Sequence, residues 1–196
     1  MKKLVVLGIL LIFTSLSLSA QGFYFDIGLG FGKGGTKIGS KDVVDDLKRL
    51  GASVDEIGVD LGFKAGYGPI GNMPIYLVGE LGGVGHRIYD SFNYLQYNTY
   101  LFGPGIIIYP VSFLQLGSSI GYSWVSNQTD LPMVMDNSDG GFAWNISAAI
   151  DLGKRAHGFL IGIKYFTASN SLKTLKVDQQ SSLFNVFFKY AFRRKV

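Results

Sequence analysis

The sequence predicts an all-β protein: an eight-stranded antiparallel transmembrane β-barrel, with short turns at one end, longer loops at the other and a short helix in the first loop. Three observations predict it. Eight segments, each about the length of a tilted membrane strand, alternate apolar and polar side chains. The charged residues in those segments fall opposite the large apolar ones. No mature segment is a charge-free apolar run of the about 20 residues that a spanning helix needs. Side chains alternate faces along a strand, so each segment has one greasy face and one polar face. A soluble barrel would turn its charges outward. A barrel in lipid does the reverse, because an outward Lys or Arg at the bilayer midplane costs about 2–4 kcal/mol.

The N-terminus reads as a secretory signal over residues 1–20. Lys2 and Lys3 supply the positive start, Leu4–Phe13 the apolar core, and Leu18-Ser19-Ala20 a small-residue cleavage site. No Cys follows the cut, which excludes a lipid-anchored form, and the chain holds no Cys at all, which removes disulfides and thiolate metal sites. Losing Lys2 and Lys3 lowers the formal charge from +4 to 4 − 2 = +2, too little to implicate nucleic acid as a partner. The barrel then occupies 21–192, and Arg193-Arg194-Lys195-Val196 forms a short basic tail.

The first strand is Gly22–Gly32, with Phe23, Phe25, Ile27, Leu29 and Phe31 opposite Tyr24, Asp26 and three glycines. The second, Ile57–Tyr67, sets Ile57, Val59, Leu61 and Phe63 against Asp60 and Lys64. The third, Pro74–Gly85, sets Ile75, Leu77 and Leu81 against Glu80. The fourth, Leu95–Tyr109, is assigned Tyr97, Leu101, Ile107 and Tyr109 toward lipid, because Gln96 and Asn98 share the other parity. The fifth, Leu114–Val125, opposes Leu114, Leu116, Ile120, Tyr122 and Trp124 to Gln115, Ser119 and Ser123. The sixth, Gly141–Leu152, opposes Phe142, Trp144, Ile146 and Ile150 to Asn145, Ser147 and Asp151. The seventh, Phe159–Thr167, opposes Phe159, Ile161, Ile163 and Tyr165 to Lys164. The eighth, Leu183–Phe192, is the most regular: Phe184, Val186, Phe188, Tyr190 and Phe192 face lipid, with Lys189 behind them.

Connections after even-numbered strands are short and contain Pro or Gly, while those after odd-numbered strands are generally longer, the longest spanning 33–56. With an even strand count both termini lie at the turn end, the periplasmic side of an outer-membrane barrel. Closure is required, because an open sheet edge in hydrocarbon strands its backbone donors and acceptors. Within the first loop, Ser40 is placed to cap a helix. Asp42, Asp45 and Asp46 lie near its start, Lys48 and Arg49 near its end, and Gly51 stops it. Val43, Val44, Leu47 and Leu50 form its apolar stripe, expected to pack on the loop or barrel rim.

Counting from the turn end, Asp26, Asp60, Lys64, Glu80, Asp151, Lys164 and Lys189 point inward. The closing seam brings Asp26 to Lys189, and the turn between the second and third strands brings Lys64 to Glu80. Opposite charges at matched depth are expected to form a paired network that fills the interior, since buried ions need partners. His86, at the outer end of the third strand, and His157, in a turn, fall on opposite sides of the membrane and are expected at the surface or interface, sharing no metal. No nucleophile elbow or phosphate-binding loop is present, and no catalytic residue, cofactor or metal is assigned.

Two resemblances follow from these residues. Thr167-Ala168-Ser169-Asn170 near the penultimate strand resembles the His-x-Ser-Asn motif of barrel lipid A deacylases, but Thr167 replaces the base, leaving Ser169 without one. The aromatic ending Phe184 to Phe192 looks like the final-strand signal of outer-membrane proteins, and the strand pattern over 21–192 resembles the OmpX, OmpA-barrel and OmpW-like group of small eight-stranded barrels. That resemblance implies outer-membrane localisation in a Gram-negative-type envelope. It also implies contact with outer-membrane lipid or lipopolysaccharide, insertion by the assembly machinery, a monomer, and extracellular ligands met through the loops. Two functions are expected to compete: a non-enzymatic surface barrel with a filled interior, and a narrow OmpW-like channel for small hydrophobic molecules. A lipid A-modifying enzyme is the remote alternative. The channel rests on Phe102, Ile106 and Ile108 lining the upper interior with Phe187.

Overall fold

The computed structural model describes residues 22–71, 73–131, 135–153 and 156–193, so the expected signal segment over 1–20 and the expected tail beyond Arg193 lie outside the described residues. Nine strands form one antiparallel sheet: β1 (Phe23–Ile38), β2 (Lys41–Asp42), β3 (Asp55–Tyr67), β4 (Ile75–Tyr89), β5 (Tyr94–Val111), β6 (Leu114–Thr129), β7 (Ser138–Asp151), β8 (His157–Leu172) and β9 (Asp178–Arg193). The helix α1 (Val43–Arg49) follows β2. The two-residue β2 hangs on the outer end of β1, leaving eight long strands. β1 pairs with both β3 and β9, and this closes the barrel: Tyr24 lies opposite Arg193 and Ile38 opposite Gln179 at the two ends of the seam. No open edge remains along the eight strands, the condition hydrocarbon imposes.

The ladders run beyond the apolar segments. β1 extends six residues past Gly32, and β4 and β5 continue pairing to Tyr89 and Tyr94. As a result the β4–β5 connection is only residues 90–93, shorter than the 68–74 connection at the other end. The expected alternation of long and short connections therefore fails at this hairpin. Strand pairing continues where side chains turn polar, and period-2 hydrophobicity does not register that extension.

The helix also departs from expectation. Asp42, not Ser40, is its N-cap, and its carboxylate accepts from the Val44 and Asp45 amides at 3.0 and 3.3 Å. Ser40 falls in the tight turn between β1 and β2, a hairpin the hydrophobic pattern did not reveal. Gly51, just past the helix, adopts φ +88°, the left-handed conformation that ends helices at little cost for glycine. Val44 is buried with Ile88 and Tyr97, and Val43 and Leu47 pack against them, while Leu50 is 82% exposed and leaves the stripe.

The outward surface is an apolar belt. Phe23, Ile27, Leu29 and Phe31 on β1, Phe142 and Ile146 on β7, and Phe184, Val186, Phe188, Tyr190 and Phe192 on β9 are all exposed. Asp26, Asp60, Lys64, Glu80, Lys164 and Lys189 are all buried. This inversion suits a barrel wall surrounded by hydrocarbon.

β5 is the exception to the sequence reading. Tyr97, Leu101, Ile107 and Tyr109 are buried inside, whereas Phe102 is 62% exposed and Ile106 also faces out. The assignment of this strand is thus reversed. Gln96 and Asn98 lie on the outward face near the loop end, next to Arg87 and Ser126 in the ladder, above the apolar belt. Polar residues there do not mark the interior.

Candidate functional site

The interior is the site, and it is stratified from the terminal end to the loop end. At the terminal end Tyr24, Tyr76, Val78, Ile107 and Tyr109 form one buried cluster. Gln115 donates through Nε2 to the Tyr24 and Tyr109 hydroxyls at 3.0 and 2.7 Å. Arg193 closes this end: its Nε donates to Asp151 Oδ2 at 2.9 Å, a second Nη2 contact reaches the same oxygen, and Nη2 also donates to the Ser112 carbonyl at 3.1 Å. The guanidinium lies 3.7 Å from the centre of the Tyr109 ring. Arg193, assigned by sequence to the tail, is therefore the last residue of β9. Its parity continues that of Asn185, Phe187, Lys189 and Ala191, a signal that was legible but was cut short at the aromatic Phe192.

The Tyr24 hydroxyl donates to Asp26 Oδ2 at 2.7 Å and joins this layer to the charged centre. There Lys189 Nζ donates to Asp26 Oδ1 at 3.1 Å across the seam. Lys64 Nζ lies 3.2 Å from Glu80 Oε2. Lys164 Nζ bridges Asp60 Oδ1 at 2.9 Å and Glu80 Oε1 at 3.3 Å, and Asn145 Nδ2 donates to Glu80 Oε2 at 3.0 Å. The glycines opposite are part of the arrangement. A β-carbon at Gly28 would run into the Phe188 carbonyl and the Lys189 side chain, so β1 gives up side-chain volume where Lys189 crosses. A β-carbon at Gly62 would lie 3.9 Å from both Glu80 Oε1 and Lys189 Nζ, beside the charged cluster.

Among the described residues the fully enclosed ions balance: Asp26, Asp60, Glu80 and Asp151 against Lys64, Lys164, Lys189 and Arg193, four of each sign. Burying ions is costly unless each has a close partner, and here each lies within ion-pair distance of one. Above them Val84, Leu101, Ala143, Phe166, Ala168 and Leu183 form an apolar layer. Above that lies a belt of amides and hydroxyls. Thr99 donates to Ser181 at 2.8 Å, and Asn127 donates to Gln179 at 2.7 Å. Helix α1 then seats Val44 on the inward-facing Ile88 and Tyr97 at the mouth. Eight strands enclose just enough room for side chains or one small ligand.

His86 corrects a second expectation. It is buried inside the loop end, with Nδ1 at 2.9 Å from the Thr36 hydroxyl and Nε2 at 3.0 Å from Glu56 Oε2. Even residues of β4 point inward up to Ile88, so extension of that strand carries His86 into the barrel. His157 is exposed at the start of β8, and its ring stacks on Tyr190. No group of three or more His, Asp or Glu side chains is placed to hold a metal among the described residues.

The channel reading loses its lining, since Phe102 and Ile106 face outward and only Phe187 of the residues proposed for it is deeply buried. Ser169 is exposed, and Thr167 sits beside it in the outward row with no proton-accepting group of suitable basicity.

No protein-family model and no curated protein matches the chain. Solved structures do. The attachment invasion locus protein Ail of Yersinia pestis, in complex with the heparin analogue sucrose octasulfate, superposes with a TM-score of 0.51 at 10% identity, over 86% of this chain and 99% of that one. Neisserial surface protein A superposes with a TM-score of 0.50 at 12% identity, over 87% of this chain and 97% of that one. Such low identity speaks to architecture alone. In architecture, this chain is a small eight-stranded barrel of the outer-membrane type.

Proposed function

We propose that the protein is a non-enzymatic barrel of the outer membrane, with a filled interior, that acts through the surface it displays at the α1 end. The observation that carries this reading is the interior: balanced ion pairs, an apolar cluster above them and Val44 seated at the mouth. The charge pairs hold one another and leave no uncompensated ion to draw a solute through.

The displayed end carries charge of both signs. Lys41, Lys48, Arg49, Lys173 and Lys176 are exposed alongside Asp45, Asp55 and Asp90. Ail's complex with a sulfated sugar analogue supports the idea that such a barrel meets extracellular ligands. The mixed charge here favours no single polyanion.

Orientation is testable because the chain has no cysteine of its own. Phe92, 89% exposed in the β4–β5 connection, and Phe113, 58% exposed in the β5–β6 turn, lie at opposite ends. With a bulky membrane-impermeant maleimide, Phe92→Cys should label in intact cells, and Phe113→Cys only after the outer membrane is permeabilised. Labelling of Phe113→Cys alone in intact cells would contradict the reading.

A further inference from the structure

The outward wall over β3–β6 is not uniform. Its ladder rows change character toward the loop end. Leu81 pairs with Phe63 and Phe102, Gly83 with Leu61 and Tyr100, Gly85 with Val59 and Asn98, and Arg87 with Ile57 and Gln96. Two successive glycines on the outward face of β4 lower the wall there, so that the Tyr100 ring leans over Gly83 and the Asn98 side chain lies beside Gly85. Leu61, 61% exposed, stands on one side, and the Tyr100–Trp124 stack, 5.2 Å between ring centres, on the other. The groove encloses about 880 Å³.

Its outer end is polar and positive. The Arg87 guanidinium lies 4.1 Å from the centre of the Tyr94 ring, and no carboxylate pairs with it among the described residues. Gln96 Nε2 donates to Asn98 Oδ1 at 2.9 Å, and Asn98 Nδ2 donates to the Ser126 carbonyl at 3.0 Å, fixing an amide rim beside it. A planar guanidinium resting on an aromatic ring keeps its N–H edge free for a bidentate oxyanion. A second outward hollow, about 420 Å³ between Ile106, Leu116, Ile146 and Ile163, has no outward cation at its rim and reads as ordinary apolar wall.

We propose that the β3–β6 groove is a binding site for one phosphorylated, acylated lipid of the outer leaflet, with its phosphate on Arg87 and an acyl chain along the apolar wall formed by Leu61, Tyr100 and Trp124. Charge complementarity at the top and the apolar wall of Leu61, Tyr100 and Trp124 below match the two ends of such an amphiphile. The site lies on the outward wall, so it stands or falls independently of whether the interior conducts.

The test is native mass spectrometry of the full refolded chain in detergent micelles, titrated with bisphosphorylated, hexa-acylated lipid A. The same lipid stripped of its phosphates and inorganic phosphate serve as comparison arms. The expected result is one retained lipid. Arg87→Gln should weaken retention about tenfold or more, Gly85→Leu should also weaken it, and the dephosphorylated lipid should bind weakly to both wild type and Arg87→Gln. Equal retention of the dephosphorylated lipid by the unaltered protein would overturn the proposal without any variant. So would undiminished binding by Arg87→Gln or Gly85→Leu, or inorganic phosphate binding as tightly as the lipid.

Discussion

Lys189 on the last strand donates to Asp26 on the first at 3.1 Å, across 163 residues of chain and directly over the seam that closes the barrel. Both groups are buried. Removing one partner strands the other ion, which costs about 3–5 kcal/mol. Lys189→Ala and Asp26→Ala should each lower stability by that order in urea unfolding followed on heat-modified gels. The double substitution Asp26→Leu with Lys189→Met should recover much of the loss. Additive losses in the double variant would argue against a direct pair.

At the terminal end the corresponding relationship joins Arg193 to Asp151. A double-mutant cycle with Arg193→Met and Asp151→Asn should give a coupling energy of about 1–3 kcal/mol. The Arg193→Met variant should also lose the stacking on Tyr109. Zero coupling would return Arg193 to a tail with no structural role.

Helix α1 holds its place through Val44 and its cap. Asp42→Ala should cost the helix about 1 kcal/mol. Val44→Asp should detach it from Ile88 and Tyr97 by placing a charge against an apolar seat. Limited trypsin digestion of the folded barrel should then cut at the exposed Lys48 and Arg49 several-fold faster in Val44→Asp than in wild type. Unchanged cutting would show that the helix is not seated on the mouth.

Two loops are tied together by Asp136, whose Oδ2 accepts from the Leu175 and Thr174 amides at 2.9 and 2.8 Å. Those backbone donors hold its carboxyl below the usual value for Asp. A lowered native pKa means the tie is fully present above the unfolded value of about 3.9 and is lost as pH falls through the lower native one. NMR amide shifts of Thr174 and Leu175 should therefore titrate below about pH 4 in wild type and stay flat in Asp136→Asn. An identical titration in the variant would remove Asp136 from the account.

Much of the barrel was legible because a membrane wall obeys period 2 with an inverted sign. The charged parity picked out Asp26, Lys64, Glu80, Lys164 and Lys189, all of which are buried and paired. β5 was not legible from the same rule. Its interior residues Tyr97, Leu101, Ile107 and Tyr109 are as greasy as its exterior ones, and only depth, which period 2 does not carry, separates Gln96 and Asn98 from a lumen face. His86 was missed for a related reason: strands keep pairing beyond the apolar belt, and the apolar alternation that marks them stops first. The hairpin of β1 and β2 displaced the cap from Ser40 to Asp42, a local choice between two good capping residues.

The central claim is that the interior is closed by its own side chains, and single-channel recording tests it most directly. Purified, refolded protein reconstituted into planar lipid bilayers should give no steady conductance. Lys164→Ala, which removes the ammonium bridging Asp60 and Glu80, should give openings only if the barrel stays folded by its heat-modified mobility. A small, steady conductance from the wild-type barrel would contradict the account.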